Sequence, residues 1–137
     1  MPLPAGQFLL HEAASIAGVG LASAKTFARL GLVPVAAGGG VQGCDRRFDA
    51  VGVLVLCVVC ELRRRGLSRA AIGLAVAGLA RLDVNSLRRA LRDGRPFLVA
   101  TDNSPPALIR ASQLPALLAK TQTAIVCNLS SLVSFDI

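Results

Sequence analysis

Four groups of residues in this chain have types and spacings that could do chemistry. Cys57 and Cys60 form a C-x-x-C, the pattern of a redox pair or of half a zinc site. The pair lies inside Val55-Leu56-Cys57-Val58-Val59-Cys60-Glu61-Leu62, an apolar stretch without the turn that presents such a motif. Cys44 and Cys127 supply no second C-x-x-C, and His11 completes no H-x-x-H, so four zinc ligands are not assembled. Free thiols packed as small hydrophobes are expected, with no metal. His11-Glu12 begins like a zinc-protease helix, but Ser15 stands where the second His must be, which leaves His11 as a solvated first-turn residue. Gly18-x-Gly20 begins like a dinucleotide fingerprint, yet Ser23 replaces the third glycine and a helical pattern precedes it where a strand is required. The glycines of residues 38–43 could cradle a phosphate, but no Gly-Lys-Ser/Thr follows. With one His, 8 acids and no Tyr, the inventory is poor for proton transfer. No catalytic residue and no cofactor are expected.

The remaining chemistry is cationic. Of the 15 Lys and Arg residues, 13 are Arg, whose planar fork suits phosphate and guanine. Residues 1–95 carry the whole formal excess of +7, whereas Arg110 and Lys120 balance Asp102 and Asp136 in residues 96–137. A sequence pI near 10.6 points to a polyanionic partner, nucleic acid before acidic membrane. Trp 0, Tyr 0 and Phe 5 leave few rings for stacking bases, which turns the expectation from single strands and RNA to duplex DNA. No membrane partner is expected, because the longest apolar run, residues 50–60, is too short to span a bilayer. The first cation is Lys25, so no basic leader is visible and the expected location is the cytoplasm.

Elements that could position these cations follow from the periodicity. Apolar residues at 10, 13, 14 and 17 have helical spacing, and Gly18 ends that helix. After the turn Gly18-Val19-Gly20, a second helix is expected over residues 21–30, stopped by Gly31. Leu21, Ala24, Phe27 and Ala28 would line its inner side, with Ala22, Lys25, Thr26 and Arg29 on the outer one. Two short helices around a tight turn, the second with a cationic outer face, make a helix-turn-helix. Residues 38–43 read as a hairpin tip leading to Asp45-Arg46-Arg47-Phe48-Asp49, a wing with adjacent arginines.

At this level the chain resembles the MerR-type winged-helix regulators over residues 8–76. Phe8-Leu9-Leu10-His11-Glu12-Ala13-Ala14-Ser15-Ile16-Ala17-Gly18-Val19 is similar to the family's aromatic-x-Ile-x-Glu-x-Ala-x-x-Ala-Gly-Val. Leu30-Gly31-Leu32-Val33-Pro34 is similar to its segment after the recognition helix, and Arg46-Arg47-Phe48-Asp49 to its wing. Leu62-Arg63-Arg64-Arg65-Gly66-Leu67-Ser68, with Ile72, is similar to the corner before its fourth helix. The family usually has Arg, Tyr and Tyr where this chain has Ala22, Thr26 and Phe27, so the cluster that helps relatives untwist a promoter is missing. No long heptad helix follows residue 82 either, so the family's coiled-coil dimer is not evident.

Beyond residue 82 the composition changes. Asp83-Val84-Asn85-Ser86 reads as a fresh N-cap, with a helix over residues 87–93 before Gly94. Residues 97–101 and 107–110 read as a hairpin, Ser112 as the cap of a short helix to Lys120, and residues 123–129 as a further strand. The expected architecture is mainly α with an α+β tail. A MerR-like winged helix-turn-helix spans residues 1–82, a linking helix residues 83–95, and a small neutral α+β module residues 96–137. The expected function is a sequence-specific regulator of transcription that binds double-stranded DNA, either a repressor or a mobile-element control protein. Ser23, Lys25, Thr26 and Arg29 would reach bases or phosphates, Arg46 and Arg47 the backbone, and Arg63 and Arg64, with Arg65, further phosphates. The neutral module would make a homodimer. Alternatives are an excisionase-like architectural protein, an antitoxin or adaptor whose module binds a partner protein, and, third, a redox or metal sensor.

Overall fold

A computed structural model describes residues 6–36, 47–101 and 106–132. The hairpin tip at 38–43, Cys44 and Arg46 lie outside the described residues. Strand β1 (Phe8–Leu9) runs straight into helix α1 (Leu10–Ala17), whose entry is held by the Glu12 carboxylate accepting the Leu9 N–H at 2.9 Å. Gly18 takes the left-handed conformation (φ 71°), and the Val19 N–H donates back to the Ala14 carbonyl at 2.9 Å, which closes α1 and reverses the chain. Helix α2 (Leu21–Arg29) begins three residues after α1 ends. Strand β2 (Arg47–Phe48) pairs antiparallel with β1, setting Phe8 opposite Phe48 and Leu9 opposite Arg47.

Helix α3 (Ala50–Arg64) is the centre of the fold. Asp49 caps it, accepting the N–H groups of Val51 at 3.0 Å and Gly52 at 3.1 Å. Every residue from Ala50 to Val59 is buried, so the apolar run becomes a helix surrounded on all sides. Fully burying a side chain such as Leu54 contributes about 1.5–3 kcal/mol. Helix α4 (Arg69–Ala80), capped by Ser68 through the Ala71 N–H, packs on α3. Helix α5 (Val84–Arg92) starts at the expected Asp83 cap, whose carboxylate accepts the Ser86 N–H at 2.7 Å. It buries Leu87, Ala90 and Leu91.

The tail forms a three-stranded antiparallel sheet ordered β4-β3-β5, from β3 (Phe97–Thr101), β4 (Ala107–Ile109) and β5 (Ala124–Asn128). A 3-10 turn (Ala111–Gln113), α6 (Leu114–Ala119) and, after β5, α7 (Leu129–Leu132) complete it. Ser112 does not cap a helix. It lies inside the 3-10 turn, where Gln113 accepts the Arg110 N–H at 3.0 Å.

Residues from the segments 1–82, 83–95 and 96–137 all contribute to one buried cluster. Leu87, Leu91, Leu98, Ala100, Cys127 and Leu129 belong to the same cluster as Leu54, Ile72 and Leu79. Through these contacts α3 meets α5 and α7, while α4 meets β3 and β4. The chain is thus mainly helical with small antiparallel sheets. Among the described residues no single helix is long and apolar enough to cross a membrane.

Candidate functional site

The turn between α1 and α2 is pinned by Val19, which is buried, and α2 is drawn inward through Ala24 and Ala28, also buried. These small residues let α2 approach α1 and α3 closely. The opposite side of α2 therefore faces outward, and Ser23, Lys25, Thr26 and Arg29 are all exposed as expected. Leu21 departs from its expected inner position. It is the first residue of α2 and stands 44% exposed, beyond the reach of the surfaces that cover Ala24 and Ala28. The Thr26 hydroxyl donates to the Ala22 carbonyl at 3.1 Å, leaving its oxygen free to accept.

Three elements converge beside this face. A groove of about 420 Å³ has Ser23, Thr26 and Phe27 of α2 on one side. Arg63 at the end of α3, with Arg69 and Ile72 at the start of α4, forms the other. Arg63 is thereby brought to the expected helix, and Arg69 joins it although the spacing of the arginine run did not reach that far. The signal for Arg69 was Ser68, the cap that starts α4 and turns its first side chain back toward the end of α3.

Arg64 and Arg65 do not line this groove. Arg64 donates to Glu61 at 3.0 Å and lies 3.8 Å from the Cys60 sulfur, while Arg65 donates to the other Glu61 oxygen at 2.9 Å. Consecutive helical side chains fan out by about 100°, so three adjacent arginines cannot share one face. Both arginines are well exposed, so each pair is worth at most about 1 kcal/mol. Arg47 is exposed on β2 opposite Leu9, and its carbonyl accepts the Ala36 N–H at 2.7 Å, which fastens β2 to the segment after α2.

The carboxylates explain why so much positive charge is left over. Among the described residues Glu12, Asp49 and Asp83 serve helix starts, Glu61 holds Arg64 and Arg65, and Asp93 holds Arg95. None of these acids lines the α2 groove, so its field is set by Arg63 and Arg69.

The C-x-x-C is a feature of the core. Cys57 and Cys60 lie one turn apart in α3, and the Cys57 thiol donates to the Ala17 carbonyl at 3.7 Å. Burial, then the neighbouring Cys60, pushes Cys57 up to about 11, and burial raises the Cys127 thiol as well. Among the described residues no three His, Cys, Asp or Glu side chains come together as a metal site.

No protein-family model matches this chain, and no curated protein matches it.

Proposed function

We propose that this chain is a sequence-specific regulator of transcription, a repressor or mobile-element control protein, that binds double-stranded DNA in the cytoplasm through a MerR-like winged helix-turn-helix. The observation that carries the reading is the outer face of α2. Ser23, Lys25, Thr26 and Arg29 stand exposed on a helix held by a three-residue turn, beside a groove bordered by Arg63 and Arg69. A helix of nine residues presented in this way fits a major groove, with Lys25 or Arg29 positioned by charge and reach for guanine.

In this reading Arg47 grips the DNA backbone from β2 acting as a wing, while Arg63 and Arg69 take phosphates along the groove side. Two copies would bind an inverted repeat. The test is affinity for duplex DNA across a salt series, on random sequence and on sites selected from a random pool. Affinity should fall steeply with salt on both, because neutralised phosphates release counterions, and the selected site should bind tighter. An affinity that stays level from low to physiological salt with the fold intact sinks the proposal.

A further inference from the structure

The tail sheet has two edges, and they are built differently. On one side β4 is only three residues long and follows Pro106, so it offers little backbone to a partner. On the other, β5 runs for five residues, Ala-Ile-Val-Cys-Asn, with no proline, no charge and no bulge in its pairing to β3. These are the devices that ordinarily blunt an edge strand, and β5 has none of them.

The ladder fixes which groups face outward. The Leu129 N–H donates to the Pro96 carbonyl at 2.9 Å, one step beyond the Phe97–Asn128 pair. In an antiparallel ladder of that phase, Cys127 and Ile125 bond to β3, and the N–H and C=O groups of Ala124, Val126 and Asn128 point away from the sheet. Asn128 also caps α7, its side chain accepting the Ser130 N–H at 3.1 Å and its C=O committed to that helix's first turn, while no described turn or loop bond reaches the outward groups of Ala124 and Val126. Alongside runs a groove of about 660 Å³, bounded by β5 and by Leu62, Arg65 and Leu67, so among the described residues this flank of the strand is open. Val126, at its middle, is 39% exposed.

We infer that β5 is the seam of a twofold dimer, pairing antiparallel with β5 of a second copy of this chain about Val126. The outward positions 124, 126 and 128 are symmetric about Val126. A second strand laid antiparallel sets Val126 against its own copy with both bonds of that pair open, and Ala124 against Asn128, whose N–H can donate to the Ala124 C=O. That self-matching is what an isologous interface requires. Charge agrees with it. The strand is uncharged, the groove wall holds Glu61 and Arg65 as an internal pair, and residues 96–137 sum to zero in a chain of +7. The two strands bring no charge against each other, and the result is one continuous six-stranded sheet. The inference assigns the seam of the dimer in the reading above, and a failure to bind DNA would leave it untouched.

The test is sedimentation equilibrium of the full chain over about 1 to 100 µM, where a concentration-dependent dimer is resolved. Variants are Val126→Lys, which sets like charges opposite each other, and Val126→Pro, which removes an outward N–H while sparing the bonds to β3. Each should weaken the dimer at least about tenfold, with circular dichroism unchanged in the dilute monomer. Val126→Cys should link two copies through residue 126 under mild oxidation, mapped by mass spectrometry. Facing residues of such a pair lie about 5.5 Å apart at Cα, within disulfide reach. This third variant keeps the test decisive if the other two disturb folding. A wild-type chain that stays monomeric throughout overturns the inference. So does a dimer that Val126→Lys and Val126→Pro leave unweakened, or one in which residue 126 does not cross-link.

Discussion

The backbone of Gly78 passes so close to Pro106 that a Cβ on residue 78 would stand 2.7 Å from the Pro106 carbonyl oxygen. This is where α4 meets the approach to β4, and only a residue without a side chain lets the two surfaces close. Gly73, one turn earlier, has nothing nearer than the Leu32 Cδ2 at 3.8 Å. The two Ala substitutions should therefore have opposite signs. Gly73→Ala should gain up to about 1 kcal/mol from helix propensity. Gly78→Ala should lose about 1–3 kcal/mol, because overpacking against backbone outweighs the same gain. Urea unfolding of the two variants measures both, and a stabilised Gly78→Ala would contradict the contact.

The helix starts make a second prediction. Asp49 accepts two N–H groups at the head of the central helix, so Asp49→Ala should cost about 0.5–2 kcal/mol. At the head of α5, hydrogen bonds from Ser86 hold the Asp83 carboxyl below its ordinary value. A carboxyl depressed in the fold adds stability above its unfolded pKa and loses it as pH falls through the folded one. Asp83→Asn keeps a capping oxygen but cannot titrate. Thermal midpoints followed downward in pH should thus fall less in Asp83→Asn than in the wild type, and parallel curves would rule out the linkage.

Much of this architecture was legible because local signals and tertiary packing agree. Gly18 and Gly31 bracket α2, Asp83 starts α5, and the apolar segments 97–101 and 124–128 become strands. The exposure of Ser23, Lys25, Thr26 and Arg29 followed from helical phase alone. Other features depend on what arrives from far along the chain. Periodicity put Leu21 inside, but no surface extends over the first turn of α2. Spacing could not say that Arg63 turns toward α2 while Arg64 turns to Glu61, since that depends on where α4 begins. The neutral composition of the tail likewise could not say that Leu98, Cys127 and Leu129 join the buried cluster around α3.

Cys57 gives a prediction at the alkaline end. Its thiol is raised in the fold from 9.0 to about 11, so its contribution is full below pH 9 and is lost as pH rises toward 11. Two pKa units correspond to about 2–3 kcal/mol. Cys57→Ala should cost about 1 kcal/mol at neutral pH through lost packing, and should flatten the decline between pH 9 and 11. Alkylation with iodoacetamide at pH 8 should also mark Cys60 before Cys57, since the thiolate is the nucleophile. Equal labelling rates in the folded protein, or an alkaline decline as steep in Cys57→Ala as in the wild type, would show that burial does not control this thiol.

Helix and wing should be separable by what each loses. Arg47 is the exposed residue of β2 and, on the proposed reading of that strand as a wing, touches phosphate, which carries no sequence information. Arg47→Ala should then weaken selected and scrambled duplexes about equally, and lower the logarithmic salt slope by about 1. Arg69→Ala should behave in the same way, because Arg69 borders the groove and not the outer face of α2. Lys25→Ala or Arg29→Ala should cost about 1–3 kcal/mol on the selected site and relax discrimination at one base pair. Arg64→Ala should change little, its guanidinium being turned to Glu61. The measurement is binding of each variant to both duplexes at several salt concentrations. If Arg47→Ala abolishes sequence preference while the two α2 variants lose only general affinity, the assigned roles are reversed. If all of these variants bind as the wild type does, the outer face of α2 is not where this chain meets DNA.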